Sequence, residues 1–119
     1  MKNKKPVSEA KACGYMFALS NLGLIGYRVN KKGVPQPYHS RLPNHDTIIL
    51  SEAVEEKDWD TIESKLHSIL GSFAESDEMF DGFLEEVKYW LDDYLKGNEY
   101  VLKEWEVFKE HLINKNITF

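Results

Sequence analysis

Asp77, Asp81 and Glu85 recur every fourth residue in the stretch DEMFDGFLEEVKYWLDDY, residues 77–94, which holds seven carboxylates against one lysine. Carboxylates four apart on one helix can share a divalent cation when a facing helix supplies further oxygen ligands. EAVEE at 52–56 and ESDE at 75–78 are the segments that could face them. In a chain this acidic, however, such spacings arise without selection for metal. Metal ligands must also converge in a cleft, whereas these acids fall opposite the apolar side of their own helix. Metal-dependent hydrolysis is therefore the alternative reading rather than the leading one.

The remaining chemistry is thinner. PYHSRLPNHD, residues 37–46, offers His39, His45 and Asp46, types that bind zinc or act as a general base. They lie in a proline-punctuated stretch with no helical ligand spacing, so surface histidines are expected. His67 and His111 have Glu63 and Glu110 nearby for local pairing. Cys13, between Ala12 and Gly14, reads as a small buried residue rather than a nucleophile, and a single cysteine allows no intrachain disulfide. LGLIG lacks both the Lys-Ser/Thr ending of a phosphate loop and a dinucleotide fingerprint. No cofactor is expected.

Charge is distributed unevenly. Residues 1–51 carry eight Lys or Arg against Glu9 and Asp46, a net +6, and residues 52–112 carry eighteen acids against six lysines, a net −12. Arg28, Lys31 and Lys32, with Tyr27, Tyr38 and Arg41, form a secondary basic patch with interleaved aromatics, the type of surface that touches nucleic acid. The acidic body beside it repels phosphates, so direct nucleic-acid binding is the weaker expectation.

The elements that must position these groups divide along the same line. In 52–119, three antiparallel helices are predicted. The first starts near Asp58 or Asp60, where Asp60 and Glu63 suit a capping box, and carries Ile62, Leu66, Ile69, Leu70 and Phe73. The second starts after Ser76 or Asp77, buries Phe80, Phe83, Leu84, Val87, Leu91, Tyr94 and Leu95, and stops at Gly97. Asn98 caps the third, whose stripe is Val101, Leu102, Trp105, Phe108 and Leu112. In 1–51, residues 8–21 favour helix despite Gly14, GLIGYRVNKKGVPQPY reads as a β-hairpin turning at Asn30–Gly33, and DTIIL at 46–50 reads as a third strand. The expected fold is thus α+β, one domain over 1–119, with an N-terminal helix and small antiparallel sheet packed on three helices.

No apolar run approaches the roughly 20 residues that span a bilayer. Glu9 and Lys11 interrupt the start of MKNKKPVSEAKACGYMFALSNLG where a signal peptide would be apolar, so a cytoplasmic location is expected.

On the helix 77–94, Glu78, Asp81, Glu85 and Asp92 share the polar face. Solvation accounts for part of this, and acids in the first turn complement the helix dipole. Two features go further. Asp77, Asp81 and Glu85 repel one another at i,i+4 spacing, and Asp92 and Asp93 sit in the last turn, where the dipole disfavours anions. Glu78, Asp81, Glu85, Tyr89, Asp92, Asp93 and Tyr100 are accordingly the expected partner-binding residues. They belong to a non-catalytic module that docks on a basic surface of another protein. Toxin-immunity proteins and phage-encoded inhibitors of defence or nucleic-acid-handling enzymes are the class analogy, and a homodimer through an apolar patch is a further alternative.

Overall fold

The computed structural model describes residues 7–23, 27–29, 31–32, 35–37 and 44–113, with side chains described outside 27–29, 35–37 and 44. Five helices make up almost all of it: α1 (Val7–Asn21), α2 (Asn44–Glu56), α3 (Trp59–Phe73), α4 (Asp77–Leu95) and α5 (Glu99–Ile113). The expectation of an α+β fold is overturned; the chain is a small helical bundle. A two-stranded ribbon pairs β1 (Tyr27–Val29) with β2 (Pro35–Pro37), Arg28 opposite Gln36, and no third strand joins it among the described residues. Three residues per strand do not make a layer on which helices could pack.

The third predicted strand is the instructive error. DTIIL lies inside α2. Its β-branched residues favour strand locally, but Leu50, Ala53 and Val54 recur at i, i+3, i+4 and are buried, while Ile48 is exposed. Tertiary contacts hold that helix near its start and at its middle. Asp46 pairs with Lys65 of α3 at 2.7 Å, and the buried Ser51 hydroxyl donates to the Leu112 carbonyl, an acceptor that the end of α5 leaves without a helical donor.

The caps follow local chemistry. Asp58 caps α3, accepting from the Thr61 amide and hydroxyl, and Ser76 caps α4 by accepting from Met79 N. Gly97, at φ 79°, closes α4; Asn98 then accepts from Tyr100 N and Val101 N to open α5. The proposed Asp60–Glu63 capping box does not form, because Asp58 takes the cap position and leaves Asp60 inside the first turn; Asp60 and Glu63 face α1 instead.

α1 is the hub. Ala10, Ala12, Cys13, Tyr15, Met16, Ala18 and Leu19 are all buried, so its surface is apolar nearly all round, as expected of a helix with neighbours on several sides. α3 and α4 both pack on it, and α2 joins α3 to α5. α3 and α4 therefore cohere largely through α1 rather than by packing on one another, while α5 packs mainly on α2. Small residues permit the close approach. A Cβ placed on Gly14 would lie 2.5 Å from the Val87 carbonyl oxygen of α4, so the helices cross where the chain has no side chain. Along α3, Ser8 donates to Asp60, Lys11 faces Glu63 at 3.9 Å, and the Tyr15 hydroxyl meets His67 Nδ1 at 2.8 Å. The partners advance by three and then four residues on both helices, so α1 and α3 run parallel. Among the described residues no helix is long and apolar enough to cross a membrane.

Candidate functional site

α4 presents two sides. Val87 and Tyr94 are buried, with Phe80, Phe83, Leu84, Trp90 and Leu91 packed against the core. Leu95, predicted in the buried stripe, is instead 59% exposed, and Phe73 of α3 is likewise exposed. Trp90 takes a core-facing place by stacking on Phe17 of α1 at 4.3 Å. On the other side Glu78, Asp81, Glu85 and Asp92 are all exposed and share roughly 60° of arc at 100° per residue. Tyr89 is exposed beside them, its ring edge-to-face with Trp90; Asp93 is half-buried; Tyr100, at the start of α5, is exposed.

None of the seven α4 carboxylates forms an ion pair with a described residue. The helix pairs available on paper, Glu85 with Lys88 and Asp92 with Lys96, do not close. Lys11 pairs instead with Glu63, Lys65 with Asp46, and Lys109 with both Glu9 and Glu106. This ridge is consequently left with its full negative charge toward solvent.

One flank of the ridge borders a groove of about 480 Å³ between α1 and α4. Its floor is apolar, made by Leu84, Val87, Leu91 and the ring of Tyr15; Lys11, Asp81, Glu85 and Lys88 stand on its rim. Burial, then the nearby Glu63 carboxylate, raises the Tyr15 hydroxyl above the ordinary phenol range, and it shares a hydrogen bond with His67. The local Glu63–His67 pairing expected for that histidine gives way to Tyr15 and to an edge-to-face contact with Phe80. Sequence reasoning found Asp81 and Glu85 but missed Lys11 and Tyr15, since nothing local shows that α1 lies beside α4.

A second polar cluster lies inside the bundle. Glu9 is 8% exposed, and its carboxylate accepts from Trp105 Nε1 at 3.0 Å and Lys109 Nζ at 3.2 Å. Lys109 also reaches Glu106 at 3.1 Å and lies over the Trp59 and Trp105 rings, 5.3 and 5.5 Å from their centroids. Tyr94 adds to it from α4: burial, then the Glu9 charge, raises its hydroxyl well above the phenol range. With its cation paired and its donors converging on one carboxylate, this cluster ties α1, α4 and α5 together. The sequence signal was a lone acid in an apolar helix.

The other predicted groups stay apart. Lys31 and Lys32 are exposed; Arg28 lies in β1, with its side chain outside the described residues. Asn30, Gly33, Tyr38, His39 and Arg41 also lie outside them. His45 is exposed, and Cys13 is fully buried. Among the described residues no group of three or more His, Cys, Asp or Glu is arranged to hold a metal ion, and the α4 acids diverge into solvent. No protein-family model matches this chain, no curated protein is similar to it, and no solved structure resembles it.

Proposed function

We propose that this chain is a non-catalytic binding module that docks the carboxylate ridge of α4 on a basic surface of another protein. The observation that carries the proposal is the helix that bears the ridge: its seven acids, four of them on the ridge, have no ion-pair partner among the described residues although the chain has lysines to spare. A helix selected for stability alone gains from i,i+4 lysine partners and loses from the repulsion of Asp77, Asp81 and Glu85. Uncompensated anions speed encounter with a cationic partner and set its orientation, while exposed rings such as Tyr89 and Tyr100 supply contact area. A nucleic-acid-handling or defence enzyme, antagonised by this chain, is the partner class that fits, because such enzymes expose the cations that normally meet phosphates.

The test is affinity capture from the source cell with the wild-type chain and a variant carrying Asp81→Lys, Glu85→Lys, Asp92→Lys and Asp93→Lys, both verified as folded by circular dichroism. A partner retained by the first and lost by the second is expected, with retention falling as salt rises. Equal capture by the two proteins means that another surface binds.

A further inference from the structure

We propose that the α1/α4 groove is the seat of an arginine side chain projecting from the basic partner; this deepens the docking reading and rests on it. The groove provides what an arginine needs at both ends. Leu84, Leu91 and the Tyr15 ring form an apolar floor for the three-carbon stem. Asp81 and Glu85 stand one helical turn apart on its rim, and neither is ion-paired with a described residue. Such i,i+4 side chains have Cβ atoms about 5–6 Å apart, a gap that a planar guanidinium with five donors can bridge. An ammonium is a compact, strongly hydrated point charge and satisfies one carboxylate at a time.

The lysines on the rim do not fill that role. Lys11 is drawn toward Glu63 of α3, and Lys88, exposed and without an ion pair among the described residues, is free to swing out on its flexible stem. A two-fold pairing of two copies through this face is disfavoured, since it would bring the same anionic ridge against itself. The lining itself balances Lys11 and Lys88 against Asp81 and Glu85; it is the excess of α4, seven acids against Lys88, that favours a cationic visitor, and the apolar floor suits a long stem behind the cation.

The probe is Nα-acetyl-arginine amide, titrated into the isotopically labelled full chain while backbone amide signals are followed by NMR. Saturable shifts centred on Tyr15, Leu84, Glu85 and Lys88 are expected, together with their loss in Asp81→Asn/Glu85→Gln, a near-isosteric change at exposed positions. Lys88→Ala keeps both carboxylates and removes a competing cation, so it is expected to bind the probe more tightly. A response that never saturates, that persists in the double amide variant, that weakens in Lys88→Ala, or that is matched by Nα-acetyl-lysine amide overturns the assignment. The two readings fail separately. Partner capture that is lost on Glu78→Lys/Asp92→Lys, with no probe response in the wild-type chain, leaves the ridge in place and removes only the arginine seat. Probe binding in a chain whose capture ignores every α4 reversal removes the ridge instead.

Discussion

Trp105 donates its indole N–H to the Glu9 carboxylate across 3.0 Å, joining the last helix to the first turn of α1 inside the core. Ninety-six residues separate the two, and Lys109 reaches the same oxygen. A carboxylate in this position is tolerated because it is bonded on several sides and sits near the positive end of the α1 dipole.

Glu9→Ala is expected to destabilise the chain by about 3–5 kcal/mol, the usual effect of removing one partner from a buried charge pair. The double change Glu9→Leu/Lys109→Met removes both charges and should recover much of that loss. Urea unfolding of the two variants decides it. A single-variant loss under 1 kcal/mol would mean that Lys109 is satisfied by Glu106 and water alone.

Gly14→Ala separates two opposed effects. Alanine is the better helix former by about 1 kcal/mol. Its methyl group, however, would meet the Val87 carbonyl at 2.5 Å and force α1 away from α4, an overpacking strain of about 1–3 kcal/mol. Net destabilisation is expected in a thermal or denaturant melt, and a gain in stability would show that the helices can part without loss.

Lys57 closes α2 with φ 58°, its amide donating to Val54 O and the Asp58 amide to Ala53 O. This is the cap geometry that glycine usually provides. A left-handed non-glycine residue costs about 1–2 kcal/mol, and glycine gives back about 0.5–1 kcal/mol through the entropy of the unfolded chain. Lys57→Gly should therefore stabilise the fold by about 0.5–1 kcal/mol, read as an increase in the denaturation midpoint with an unchanged slope.

His111 titrates below the ordinary histidine range because burial disfavours its charged form. The unfolded chain then binds the proton more readily than the folded one, so its contribution to stability is complete above about pH 6.5 and fades as pH falls below it. His111→Gln should flatten the stability profile between about pH 7 and pH 5 relative to wild type. Parallel profiles for the two proteins would assign the acid sensitivity to other groups.

What could be read without a structure was local. Helices α3, α4 and α5 announce themselves through 3.6-residue periodicity and through caps that act within four residues, such as Ser76, Gly97 and Asn98. The charge split and the unbalanced acids of 77–94 are likewise properties of order along the chain.

Tertiary structure decided the rest, for a physical reason that repeats. DTIIL has a strand-like local preference, and it becomes helix because Asp46 and Ser51 find partners on α3 and α5. Asp60 and Glu63 suit a local cap, yet they turn to Ser8 and Lys11 on a parallel neighbour. Glu9 looks like an interruption in an apolar run until Trp105 and Lys109 are brought to it. Periodicity states which side of a helix is apolar; it does not state what will cover that side. Only the packed chain, by placing α1 among the others, determined which carboxylates were taken up inside and which were left facing out.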